Sequence, residues 1–110
     1  MKEATIYLEH ILESAEAVAE HIQGLTKQDF LKSRKAQDAV LRRLEIIGEA
    51  TKRLTPEVRN RDAQIPWREI AGMRDILIHE YFAVDLELVW KTIKRDVPKL
   101  VKRIKLLLDE

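Results

Sequence analysis

The sequence contains no cysteine and few residues that bend a chain, with three glycines and three prolines among 110 residues. Aromatic residues are also few, with two each of tryptophan, tyrosine and phenylalanine. Without cysteine, the chain can form neither disulfides nor thiolate-ligated zinc sites, which fits a reducing compartment. No segment alternates apolar and polar residues convincingly as a strand does. With a hydrophobic content of 45%, this composition predicts a compact all-α protein.

Long apolar runs are also missing. No run of about eighteen apolar residues occurs, and acidic residues interrupt the N-terminal segment where a signal peptide needs an apolar stretch. We therefore expect a cytoplasmic protein without a membrane segment. Neither sign of charge dominates, because twenty basic residues face nineteen acidic ones and leave a net charge of +1. Binding to nucleic acid would therefore need a local basic patch.

The length of the chain predicts a single domain spanning residues 1–110. Such a chain can build a hydrophobic core, but it is short for an enzyme that must bury its own cleft. A homodimer would relieve that limit.

The first half of the chain has the pattern of two long helices. Apolar residues recur every three or four positions from Ala4 to Ile22, with Gly24 as the stop, and a second helix is predicted from Ser33 to Leu54. Between them, Thr26 has the pattern of a helix cap. The second helix is apolar on two faces, which predicts two packing partners, and its internal Gly48 predicts the close approach of another backbone.

The second half begins with a short helix from Pro56 to about Asp62, in which Arg59 and Arg61 could extend a basic surface. Asp85 is predicted to cap a later helix, and Pro98 to interrupt it and start another, since proline breaks a helix interior. A stripe of basic residues in this region could contact phosphates, although a solvated helix face is the simpler interpretation. The stripe consists of Lys91, Lys94, Arg95, Lys99, Lys102, Arg103 and Lys105.

Two histidines lie far from this region, in the first predicted helix. His10 and His21 share a face, but eleven residues of helix separate them by roughly 16 Å, too far to bind one metal ion. We interpret both as surface histidines. We expect no metal and no cofactor.

The segment from Pro66 to Phe82 has the residues best suited to chemistry, because Arg74, His79 and Tyr81 form the pattern R-x4-H-x-Y. Arginine keeps its charge and presents a planar fork of donors that matches two phosphate oxygens. Histidine can take and give a proton near neutral pH. Together they are the minimum equipment for attacking a phosphodiester without a metal.

One straight helix does not direct Arg74 and His79 to the same point, because five residues of helix place them about 140° apart. The helix can end near His79 and let the imidazole and Tyr81 turn, or a second copy of the chain can complete the site. Asp75, four residues before His79, could then fix the tautomer of that histidine. A purely structural explanation is also open, since cations near a helix C-terminus are favoured by the helix dipole.

Three segments in this order resemble the HepT-like branch of the HEPN superfamily: L-R-R-L-E-I-I-G-E-A at 41–50, I-P-W-R-E-I-A-G-M-R-D at 65–75 and H-E-Y-F at 79–82. The resemblance covers nearly the whole chain. It implies an all-α HEPN bundle of four to five main helices plus short ones, which dimerises so that the motifs of two subunits meet in a cleft.

The same resemblance implies a toxin of a type VII toxin–antitoxin pair, which is a metal-independent endoribonuclease acting on tRNA or mRNA. The implied partner is a minimal nucleotidyltransferase of the MntA kind, which silences the toxin by transferring AMP to the motif tyrosine, here Tyr81. Under this resemblance, Arg74 stabilises the phosphate, His79 is the acid/base, and Asp75 and Tyr81 support them. The alternative is a non-catalytic helical adaptor that binds a nucleotidyltransferase or a nucleotide.

Overall fold

The computed structural model describes residues 2–80 and 83–109, and within these ranges the chain is helical with short connections and no strand. A 3₁₀ turn at Asn60–Asp62 separates the fourth and fifth of six α-helices. The helices are α1 (Lys2–His21), α2 (Lys27–Lys32), α3 (Arg34–Lys52), α4 (Pro56–Arg59), α5 (Trp67–His79) and α6 (Leu86–Leu108). The prediction of an all-α bundle with four to five main helices and additional short ones is confirmed for the described residues. No helix in the described part of the chain is both long and apolar enough to cross a membrane.

The connections follow the predicted caps. Gly24 has a φ of 79°, the left-handed conformation in which glycine commonly ends a helix. The Thr26 hydroxyl accepts a hydrogen bond from the Asp29 amide (3.1 Å), and the Asp29 carboxylate accepts one from the Thr26 amide (3.0 Å). Ser33 accepts from the Ala36 amide (3.1 Å) and starts α3. Thr26 therefore caps a helix, as predicted, and this helix is the six-residue α2.

Helix α3 lies between α1 and α5 and packs extensively against both, while α6 packs against α1. This arrangement confirms that α3 has two partners. Its buried residues come from two faces of the helix, which is why it occupies the centre of the bundle. They are Ala36, Val40, Leu41, Leu44, Ile47, Gly48, Ala50 and Thr51.

Gly48 marks the closest contact between α3 and α5. A Cβ atom at this position would lie 2.5 Å from the Arg74 Cβ and 3.1 Å from both the Arg74 nitrogen and the Ile70 carbonyl oxygen. The predicted close approach of another backbone is therefore confirmed, and the approaching backbone belongs to α5 of the same chain. Gly48 thus sets how closely Arg74 approaches α3.

The start of α5 is anchored by Trp67, which is buried. Its indole N–H is shared between the carbonyl oxygens of Arg59 (2.9 Å) and Asp62 (3.0 Å). Pro66 precedes the helix by one residue. The short α4 segment therefore determines where the helix that carries the R-x4-H pair begins.

Helix α6 runs from Leu86 to Leu108 with Pro98 inside it, so the predicted interruption at this proline is wrong. Pro98 has no backbone N–H to donate to the carbonyl of Lys94, four residues earlier. Both residues are exposed, so water can hydrate this carbonyl instead. Buried Ile93 and Ile104 hold the helix to the core on both sides of the proline. The burial of apolar side chains along α6 outweighs the destabilisation that Pro98 causes locally. The predicted cap is confirmed: Asp85 accepts from the Glu87 and Leu88 amides.

A bidentate ion pair joins the 3₁₀ turn to α6. Arg103 donates from Nε to Asp62 Oδ2 (2.7 Å) and from a terminal nitrogen to Asp62 Oδ1 (2.8 Å). The Asp62 side chain is only 11% exposed. The hydrogen bonds from Arg103 are the main cause that lowers the pKa of Asp62 below its ordinary value.

We expect Asp62→Asn to reduce the free energy of unfolding by about 1–3 kcal/mol, since hydrogen bonds to a charged group are lost. Because the pKa of Asp62 is lower in the folded state, this contribution is complete above the unfolded-state pKa of about 3.9 and is lost as the pH falls through the folded-state pKa. Urea unfolding at several pH values measures it. Asp96→Asn is the matched control, because the ion pair of Asp96 among the described residues is with its exposed neighbour Arg95. Equal effects of the two substitutions would contradict the prediction.

Candidate functional site

Arg74 lies on the side of α5 that faces α3, with its side chain 33% exposed. Its Nε forms an ion pair with Glu49 Oε2 at 2.8 Å, and a terminal nitrogen donates to Asp75 Oδ1 at 3.3 Å. Both contacts are to carboxylates, which hold the guanidinium in one orientation. A planar fork fixed in this way is suited to binding a phosphate group.

Asp75 serves this arginine rather than the histidine of the motif. Its Oδ1 accepts a hydrogen bond from Lys52 Nζ at 2.7 Å as well as the bond from Arg74. The hydrogen bond from Lys52 is the main cause that lowers the pKa of Asp75, so the carboxylate stays ionised at neutral pH. Within the described residues, no bond joins Asp75 to His79. The proposed role of Asp75 in fixing the His79 tautomer therefore has no contact to support it here.

His79 is the last residue of α5 and is exposed. The helix is unbroken from Trp67 to His79, so the angular separation of about 140° between Arg74 and His79 holds in this chain. Arg74 faces α3 while His79 faces outward. The helix does end near His79, as one of the two expected arrangements requires, but Tyr81 lies outside the described residues.

Arg74 also lines an open cavity of about 330 Å³ between α1 and α3. Tyr7 and His10 of α1 also line it, with their ring centroids 6.4 Å apart and their planes nearly perpendicular at 87°. The remaining lining residues are Arg42, Glu45, Ile46, Glu49, Ala50 and Arg53. His10 is exposed, as predicted, but its place in a cavity shared with Arg74 was not predicted. The available signal was the three-residue spacing of Tyr7 and His10, which places both on one helix face.

The family model described as "Ribonuclease HepT-like" matches residues 11–107 of this sequence. The chain belongs to the HepT-like family. Its membership in the HEPN superfamily agrees with the all-helical fold described above. No solved structure matched this HepT-like chain.

Several relatives match the HepT-like chain over most of its length. A protein of Caldanaerobacter subterraneus subsp. tengcongensis named "Putative RNase" is 46% identical over 110 residues, which is all of this chain and 98% of the relative. A Thermococcus cleftensis protein named "Probable ribonuclease HepT" is 49% identical over 94 residues, covering 86% of each chain. A Methanocaldococcus jannaschii protein named "Gamma-glutamylcyclotransferase and putative RNase" is 51% identical over 109 residues, and the HepT-like chain spans about half of it (49%).

Two other arginines of the HepT-like chain bind backbone carbonyl oxygens. Arg59 donates to the Thr51 carbonyl (2.9 Å) and Arg61 to the Leu107 carbonyl (3.0 Å), so both contact backbone oxygens in the last turn of a helix. They therefore help to close α3 and α6, which differs from the expected extension of a basic surface.

The basic stripe on α6 is partly neutralised by carboxylates of other elements. Arg103 pairs with Asp62, and Lys105 approaches Glu16 at 3.6 Å. Lys94 lies 5.5 Å above the centroid of the Trp90 ring. These contacts favour the interpretation of the stripe as a solvated helix face.

Among the described residues, no cluster of three His, Cys, Asp or Glu side chains is arranged to hold a metal ion.

Proposed function

We propose that this HepT-like protein is a metal-independent endoribonuclease and the toxin of a type VII toxin–antitoxin pair. Its site joins Arg74 of one subunit of a homodimer with His79 of the partner subunit. The observation that carries the proposal is the rigid α5 helix, which fixes Arg74 against Glu49 and Asp75 while leaving His79 exposed at its end. The names of the relatives, which include "RNase" and "ribonuclease HepT", support the same class of activity.

The charges around Arg74 suit this role. Glu49 and Asp75 orient the guanidinium, and Lys52 compensates one of these two negative charges at a distance of 2.7 Å. The arginine therefore does not need to reorganise before it binds a phosphate. Donors fixed in advance contribute more to catalysis than flexible ones, because no reorganisation is needed as charge develops.

In the proposed reaction, His79 removes the proton from a ribose 2′-hydroxyl, and the 2′ oxygen attacks the adjacent phosphorus. Arg74 stabilises the charge that develops on the non-bridging oxygens. The bond from phosphorus to the 5′ oxygen breaks, and this oxygen takes up a proton from an imidazolium or from water. The products are a 2′,3′-cyclic phosphate and a 5′-hydroxyl.

The antitoxin in this proposal is a minimal nucleotidyltransferase of the MntA kind. It would transfer AMP from ATP to the hydroxyl of Tyr81 and release pyrophosphate. Tyr81 follows the last residue of α5 by two positions, so an AMP group there would lie near His79. Its bulk and negative charge would exclude the RNA phosphate from the site.

The test is incubation of the purified protein with total tRNA and mRNA in excess EDTA. We expect cleavage to persist in the chelator and the new 3′ ends to be cyclic phosphates, which are detected because phosphatase removes the phosphate only after acid has opened the ring. Protein that binds RNA or a nucleotidyltransferase but cuts nothing would support the adaptor alternative. Cleavage that stops in EDTA and returns with added metal would contradict the proposed mechanism.

A further inference from the structure

The cavity beside Arg74 contains groups that the proposed cleavage reaction does not use. Tyr7 is half-buried and packs against the core, whereas His10 is exposed at the same wall. Their nearly perpendicular arrangement is the edge-to-face geometry of aromatic pairs, in which one ring presents its edge to the face of the other. In this geometry, the other ring covers neither face of the ring that presents its edge. A ring with an uncovered face can stack on a planar base, whatever the identity of that base.

The cations around the cavity differ in how firmly they are held. Arg74 is fixed by the 2.8 Å contact with Glu49. Arg42 and Arg53 instead make long contacts with glutamates of their own helix, at 3.7 Å and 3.5 Å, and both side chains are mostly exposed. Exposed pairs of this length contribute little and exchange readily for another anion. The cavity therefore has one rigid phosphate ligand and two adaptable ones.

The acidic groups of the cavity are suited to discriminating between bases. Glu45 and Glu49 line it together with the arginines. A carboxylate accepts hydrogen bonds from exocyclic amino groups of bases. The volume of about 330 Å³ is near the lower end of ordinary small-molecule sites, which begin at about 300 Å³. Stacking rings, phosphate ligands and acceptors for base amino groups thus meet in one small space.

From this juxtaposition, we infer that the cavity formed by Tyr7, His10 and Arg74 is a base-binding subsite for single-stranded RNA. It holds the nucleotide next to the phosphate that Arg74 contacts, with the base on the Tyr7–His10 pair. This inference rests on the proposed ribonuclease function for the identity of the ligand. It assigns to α1 a role in positioning the substrate that the R-x4-H-x-Y pattern does not include.

The experiment measures RNA binding separately from cleavage. All proteins carry His79→Ala so that the RNA stays intact, and fluorescence anisotropy follows a labelled single-stranded oligoribonucleotide and an abasic oligomer of the same length. His10→Ala should weaken binding of the base-bearing RNA about tenfold, since stacking is lost, and should leave binding of the abasic oligomer unchanged. His21→Ala is the matched control, because His21 is an exposed histidine of the same helix outside this cavity. It should change neither.

Tyr7→Leu provides a second variant, and its circular dichroism spectrum should match that of the parent before its binding is measured. Equal binding by the His10→Ala and His21→Ala proteins, or no binding by the parent, would overturn the subsite. An equal loss with both oligomers would also overturn it, since charge rather than stacking would then be responsible. The two proposals can also fail separately. If the wild-type protein cuts no RNA but His10→Ala still weakens binding of the base-bearing RNA alone, the ribonuclease proposal is refuted and the subsite remains.

Discussion

Replacing His79 by alanine is expected to lower the rate of RNA cleavage by about 10²- to 10⁴-fold, the usual contribution of a general acid or base. The side chain is exposed at the end of α5, so the free energy of unfolding should change by no more than about 0.5 kcal/mol. Cleavage of RNA in EDTA and urea unfolding are the two measurements. His21→Ala is the control, since it also removes an exposed histidine from the last turn of a helix. Full activity of the His79→Ala protein would refute the assignment.

Mixing two inactive proteins tests whether the site is shared between subunits. One protein carries His79→Ala, and the other carries Arg74→Ala, which removes the proposed phosphate ligand. In a heterodimer of the two, one of the two composite sites regains both residues, so a random mixture should recover about a quarter of the wild-type activity. No recovery is possible if both residues of a site come from one chain. Mixtures that stay inactive after subunit exchange has been verified would therefore contradict the composite site.

The largest expected effect on stability comes from Gly48. In Gly48→Val, the new Cβ would lie 2.5 Å from the Arg74 Cβ and close to two backbone atoms of α5, none of which can move without shifting that helix. Overpacking of this kind costs about 1–3 kcal/mol or more, and it would also displace Arg74 from Glu49. We expect a lower midpoint of urea unfolding together with a loss of cleavage.

Gly72→Ala is the matched control for this substitution. A Cβ at Gly72 meets nothing within 4 Å, so alanine should add up to about 1 kcal/mol of stability through its helix propensity. Substitution of the glycine in α3 should thus lower the free energy of unfolding, whereas substitution of the glycine in α5 should raise it. A Gly48→Val protein as stable as wild type would show that the two helices are not in the close contact described here.

The features that the sequence predicted correctly depend on neighbours in the chain. The caps at Thr26, Ser33 and Asp85 each involve residues within three positions, and such contacts form wherever the surrounding fold allows them. Pro98 was predicted wrongly for the opposite reason. Its effect is local, but α6 continues through it because residues on both sides are buried, which depends on the whole bundle.

The candidate site shows the same division. The pattern R-x4-H-x-Y and the angle between Arg74 and His79 follow from the sequence and helix geometry alone. The contact between Arg74 and Glu49 depends on the register of α3 against α5, which no local pattern specifies. The cavity with Tyr7 and His10 requires a third helix at the correct height. Contacts among residues of three helices could not be read from spacing within any one of them.

Helix α5 makes most of its helix–helix contacts with a single neighbour, α3, whereas α1 and α3 each pack extensively against two helices. Regions with fewer tertiary contacts open at lower free energy than the global transition. A single neighbour therefore holds the helix that carries Arg74 and His79, and separation of α5 from α3 would release both residues together. A macromolecule that covered the outer face of α5, where Ile76 is 56% exposed, would give this helix a second partner and oppose that separation.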